Sequence, residues 1–199
     1  MKKDKNKVHK NKIIFVTLII FLSVWLELFF LNTFLADLYL KKGKDSVAKN
    51  NYSLALANFN KAITYNSKEA SYYKNRAQCY AQISFLLNDS PEKSVYKELA
   101  LGDLEYAYNL NPKNLKFVRD SFYVYSLLAL KEPADSKIVL ISKDVFVKNK
   151  QIYNTDLGTL VDIGVYEKRL NWFEDYEVTQ SLIKKLRPDV LKWYPNLIN

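Results

Sequence analysis

Histidine and cysteine are nearly absent from this chain: His9 and Cys79 stand alone among 199 residues. No disulfide can form within the chain, and no zinc cluster of Cys and His can be assembled. A Ser-His-Asp or Cys-His catalytic set would have to use His9, which sits in a lysine-rich tail. Glycine is scarce too. Gly43, Gly102, Gly158 and Gly164 are too dispersed for a phosphate-binding loop, which needs two or three close together. Cys79 has nothing beside it that clearly lowers its pKa and reads as a buried, inert thiol. Glu167, Glu174 and Asp175 could be imagined as glycosidase carboxylates, but they lie on amphipathic helices with no cleft-forming element. The chain is therefore read as non-enzymatic, with no cofactor, no metal and no small-molecule substrate.

Apolar side chains and lysine are what the sequence has in quantity. Apolar residues make up 49% and charged residues 26%, the balance of a folded chain rather than a disordered one. The net charge is +9, of which residues 1–12 carry six Lys and one Asp. The excess left for the remaining residues is modest, so no nucleic acid partner is expected.

Residues 13–36 read IIFVTLIIFLSVWLELFFLNTFLA, with Glu27 the one charge. As a helix this run is about 36 Å long, enough to cross a hydrocarbon core of about 30 Å. It is longer than the hydrophobic region of a signal peptide, and a cut after Ala36 would leave Phe34 where a small residue is wanted. The run is read as an uncleaved transmembrane anchor. Six lysines precede it, whereas Lys41, Lys42 and Lys44 follow it diluted by Asp37 and Asp45. The positive-inside rule then keeps residues 1–12 in the cytoplasm and sends residues 37–199 across. A carboxylate near mid-membrane costs about 2.5–3.5 kcal/mol on insertion scales. Glu27 is either a contact to another transmembrane helix or a protonated side chain that a strongly apolar helix tolerates.

Beyond the anchor the apolar residues recur at helical spacing, and no alternating strand pattern stands out. Two stretches match. Ala55, Phe59 and Ala62 precede Tyr65-Asn-Ser; Ala100, Leu104 and Ala107 precede Leu110-Asn-Pro. Residues at i, i+4 and i+7 share one helix face, and small residues around a large one let a neighbouring helix approach. Tyr39 and Gly43 lie upstream of the first stretch, and Tyr73, Ala77 and Tyr80 upstream of the second.

This pattern resembles the tetratricopeptide repeat, a helix-turn-helix unit of about 34 residues. The units would be 36–69, 70–114, 115–148 and 157–190. The second has an excess around Leu87 to Val95, where Asn88-Asp89-Ser90-Pro91 reads as a loop between its helices. The third is marked by Val118, Phe122 and Tyr125, then Ala134, Ile138 and Ile141. The fourth is marked by Leu160, Gly164, Ile183 and Pro188. Pro188 to Pro195, with Trp193 and Tyr194, would cap the last hairpin. The resemblance implies an all-α chain: a transmembrane helix followed by a short α-solenoid whose first helices line a concave groove. In that family the groove commonly holds a peptide or a partner's helix. By register the partner-binding candidates are Leu40, Lys44, Lys74, Asn75, Gln78, Lys116, Arg119 and Tyr123. Four of these are cations and none is an acid, which suggests an acidic or C-terminal peptide; the plain alternative is a solvated face. Within the family, Tyr73-Lys-Asn-Arg-Ala77 is similar to the co-chaperone type that clamps a C-terminal carboxylate. Asn75 and Lys116 match its clamp positions. Leu40, Lys44 and Asp120 depart from it, so that clamp is not expected. The functional expectation is a membrane-anchored scaffold or adaptor for protein partners, in cell-envelope assembly or protein complex assembly, in a bacterial envelope. The alternative is an accessory subunit of a membrane translocase or secretion complex, held through the transmembrane helix and Glu27.

Overall fold

A computed structural model describes residues 2–190, with side chains from Ile14 onward. It is all-helical: α1 (Lys2–Ala48), α2 (Tyr52–Tyr65), α3 (Ala70–Leu86), α4 (Pro91–Leu110), α5 (Leu115–Ala129), α6 (Lys137–Ile152), α7 (Leu157–Arg169) and α8 (Phe173–Leu186). No strand occurs among the described residues. The helices divide into two compact units, one ending at Lys68 and the other beginning at Glu69.

In the first unit, the anchor and the first repeat helix expected from the sequence are one rod. No Gly or Pro interrupts residues 2–42, so nothing breaks the helix between them. From Ile14 onward α1 is long and apolar enough to cross a membrane; its most apolar window has a mean hydropathy of 2.6 and is unburied. The hydroxyls of Ser23 and Thr33 donate to the carbonyls of Ile19 and Phe29, both at 3.0 Å, so they are satisfied within the helix. After Ala48 the chain reverses through Asn50, whose φ of 55° is left-handed. The Asn51 N–H donates to the Ser46 carbonyl at 2.9 Å, which closes the α1 terminus. The Asn51 side chain then accepts from the Leu54 N–H and starts α2. α2 returns antiparallel to α1. Tyr39 stacks on Tyr65, and Phe59 packs so close to Gly43 that a Cβ there would collide with its ring.

In the second unit, α3 packs with α4, α5 with α6, and α7 with α8. α5 also contacts α3 and α4, and α7 contacts α5 and α6. Lys131 and Asn171 take left-handed φ after α5 and α7, as Asn50 does after α1. The α3–α4 connection instead uses Ser90, whose hydroxyl accepts from the Lys93 N–H, with Pro91 in the first turn of α4. Proline there starts a helix, so the loop is only 87–90 and the expected excess of the second pair lies in longer helices.

One packing pattern recurs in the second helix of all four pairs. A small residue is buried, and a large one four positions on is buried with it: Ala55 and Phe59, Ala100 and Leu104, Ser142 and Phe146, Thr179 and Ile183, all 0–1% exposed. The third pair corrects the sequence reading. Ala134 is exposed and precedes α6, which Ser136 caps by accepting from the Val139 N–H. The buried stripe is Ile138, Ser142 and Phe146, and α6 runs on to Ile152 rather than ending at 148. Phe146 meets Phe122 and Trp172 edge-on, at 5.1 and 5.6 Å between centroids. Val190 packs with Leu160, Val161, Tyr176 and Ile183 at the end of the last pair. Trp193, Tyr194 and Pro195 of the expected cap lie outside the described residues.

Candidate functional site

Three helix starts set the orientation of the residues of interest. Glu69 caps α3 by accepting from the Ser71 N–H, Asn114 caps α5 by accepting from Phe117, and Asp156 caps α7 by accepting from Thr159 at 2.7 Å. On each helix, side chains four apart then share a face: Lys74 and Gln78 on α3, Arg119 and Tyr123 on α5, Asp162 and Tyr166 on α7. With Leu115, Lys116 and Asp120 they line one groove of about 760 Å³.

The groove is held together by ion pairs between helices. Lys74 Nζ and Lys116 Nζ both donate to Asp120 Oδ2, at 2.7 and 2.9 Å. Arg119 Nε donates to Asp162 Oδ2 at 2.6 Å and so links α5 to α7. The Arg119 guanidinium also lies against the first turn of α7, where a Cβ on Gly158 would strike it. Burial pushes the Asp120 carboxyl up, but the Lys74 and Lys116 ammonium groups outweigh it and hold it below the ordinary value. The hydrogen bond to Asp162 raises Arg119, and burial raises Tyr166. Three cations thus meet two carboxylates. Lys116 is the most exposed of them, its side chain 82% accessible.

Of the eight groove candidates read from the sequence, Lys74, Gln78, Lys116, Arg119 and Tyr123 come together here. Asn75 does not: it is buried, and its Nδ2 donates to the Ser71 carbonyl at 2.6 Å on its own helix. Leu40 is half-buried and Lys44 exposed on α1, in the first unit. Sequence reasoning missed Asp162 and Tyr166, although they repeat the four-residue spacing of Arg119 and Tyr123. Its tally of cations without acids also left out Asp120 and Asp162, which neutralise much of that charge.

The remaining singled-out residues lie elsewhere. Glu27 is exposed on the apolar stretch of α1 and makes no hydrogen bond or ion pair among the described residues. Cys79 is buried, and burial pushes its thiol up to about 12. Glu167 is buried with both oxygens engaged, one by Lys150 Nζ at 2.7 Å and one by the Thr179 hydroxyl at 2.6 Å. A second groove of about 760 Å³ lies over α5 between α4 and α6, lined more by apolar atoms such as those of Leu101, Ile141 and Ile152. The α3–α5–α7 groove is the better candidate because charged and hydrogen-bonding groups from three helices converge there. No protein family, curated protein or solved structure matches the chain.

Proposed function

We propose that the chain is a membrane-anchored scaffold of tetratricopeptide type, non-enzymatic, which binds a partner protein's peptide in the groove of α3, α5 and α7. The groove is the observation that carries this reading: the first helix of three successive pairs contributes to one polar concavity. The small-then-large stripe in every second helix supports stacked hairpins, and the contacts of α3 with α5 and of α5 with α7 support their succession. α1 serves as the anchor, with residues 1–12 in the cytoplasm and the helical pairs on the other side, as the lysine asymmetry favours.

A carboxylate-bearing peptide suits the groove's charges. Two ammonium groups share one Asp120 oxygen, so both retain donors, and only the Nε of Arg119 is bonded to Asp162. Replacing Lys116→Glu and Arg119→Glu together is expected to abolish co-purification of the partner while leaving helicity by circular dichroism unchanged. Retained binding with intact helicity would contradict the reading.

Glu27 favours a second reading, an accessory subunit held in a membrane complex through α1, since an exposed carboxylate on an apolar helix gains by pairing inside the bilayer. Exchanging residues 13–36 for an unrelated apolar helix separates the two. The scaffold keeps its function after the exchange, and the subunit loses it.

A further inference from the structure

The segment where α1 leaves its apolar stretch carries a cluster that the proposed scaffold role does not use. Because α2 runs back along α1, its last turn returns to the level of Tyr39, three residues beyond Ala36. The Tyr39 and Tyr65 rings stack, 5.6 Å between centroids and 6° between planes. Lys42 Nζ and Lys61 Nζ each lie 5.2 Å from the centroid of Tyr39. Two ammonium groups from different helices are thus gathered on one ring, no further apart than twice that distance. Both side chains are exposed, and neither has an ion-pair partner among the described residues.

Depth along the helix gives the cluster its meaning. If the hydrocarbon core ends near Ala36, the helical rise puts Tyr39 about 4–5 Å and Lys42 about 9 Å beyond it. A headgroup layer is about 5–8 Å thick on each side of the core. Tyrosine rings favour that layer, and a lysine stem can lean back toward it. Two ammonium groups held at one aromatic ring, neither of them in an ion pair among the described residues, match a phosphate.

We propose that Lys42 and Lys61, gathered by the Tyr39–Tyr65 stack, bind the phosphate of an anionic phospholipid headgroup. This rests on the reading of α1 as a membrane span. The cation–π contacts keep the two ammonium groups close before the lipid arrives, and each has three N–H donors to offer its oxygens.

The test uses the full chain purified in detergent, with native mass spectrometry counting bound phosphatidylglycerol or phosphatidylcholine. Lys42→Gln with Lys61→Gln is compared with Lys44→Gln plus Lys49→Gln, which removes equal charge from exposed positions with no role in the stack. The expected result is a preference for phosphatidylglycerol that falls at least about tenfold in the first variant and less than about twofold in the second. Equal losses in both variants, or equal binding of the two lipids by the wild type, overturn the site. Displacement of phosphatidylglycerol by millimolar inorganic phosphate would mean a free-anion site and would overturn the lipid assignment. Alkaline carbonate extraction of cell membranes reads the span separately. A chain that washes out removes the span and the site together; one that stays while both variants behave alike removes the site alone.

Discussion

Lys150 and Glu167 are the two charges most deeply buried in the second unit, at 6% and 0% exposure. Burial pushes the Glu167 carboxyl up, while the Lys150 ammonium and the Thr179 hydroxyl pull it back. Lys150 also reaches the Asp175 carbonyl at 3.3 Å, so one ammonium ties α6 to α7 and α8. Removing one partner strands the other charge. Lys150→Met is expected to lower the unfolding free energy by about 3–5 kcal/mol in urea titrations, and adding Glu167→Leu to recover most of that loss. Half-buried acids set the pH response. Burial raises the carboxyls of Asp120 and Glu132, but paired lysines outweigh it and leave both below their ordinary values. Glu132 is held by Lys97 at 2.6 Å and Lys93 at 3.1 Å. As pH falls, the unfolded chain takes up these protons first. The stability they contribute is present above the unfolded value of about 4 and is lost as pH drops through the folded values. Asp120→Asn with Glu132→Gln should therefore flatten the loss of thermal stability between about pH 5 and pH 3. An unchanged acid limb would show that these pairs do not set it.

At the scale of the helix, two glycines on α1 and α4 should respond oppositely to one substitution. A Cβ at Gly43 meets the ring of Phe59, which is 1% exposed and has nowhere to move. A Cβ at Gly102 meets nothing within 4 Å. Gly102→Ala is expected to stabilise by about 0.5–1 kcal/mol through helix propensity. Gly43→Ala, despite the same gain, should cost about 1–2 kcal/mol through overpacking. Thermal unfolding of the detergent-solubilised chain checks both, and equal shifts would contradict the packing described. The second helices of the pairs show what the sequence made legible. The triples of α2 and α4 could be read directly because alanine and a large apolar residue carry the spacing. The α6 stripe could not. Ser142 looks polar in a sequence, yet its hydroxyl donates to the Ile138 carbonyl at 2.8 Å and the residue packs like a small apolar one. Ala134, Ile138 and Ile141 offered the same spacing in a competing register. Pro91 misled in another way, since it reads as a loop residue but sits where a helix begins.

For the whole molecule, helices throughout and one apolar span could be expected from the residues alone, because neither depends on long-range contacts. The groove was legible only in part. Its α3 and α5 residues follow from the helical register, but whether a lysine is free or paired depends on which acid a neighbouring helix brings up. Asp120 and Asp162 could not be assigned to Lys74 and Arg119 from spacings of more than forty residues. The central claim is that this groove, on a chain held at the membrane, receives another protein. The most direct measurement places a photocrosslinking residue in turn at Gln78, at Tyr123 and, on the far side of the second unit, at Lys148, and reads the adducts in intact cells. The account predicts one and the same partner captured from Gln78 and Tyr123, absent from Lys148 and lost when Lys116→Glu and Arg119→Glu are added. Capture from Lys148 alone, or adducts at Gln78 and Tyr123 indifferent to the charge reversals, would contradict it.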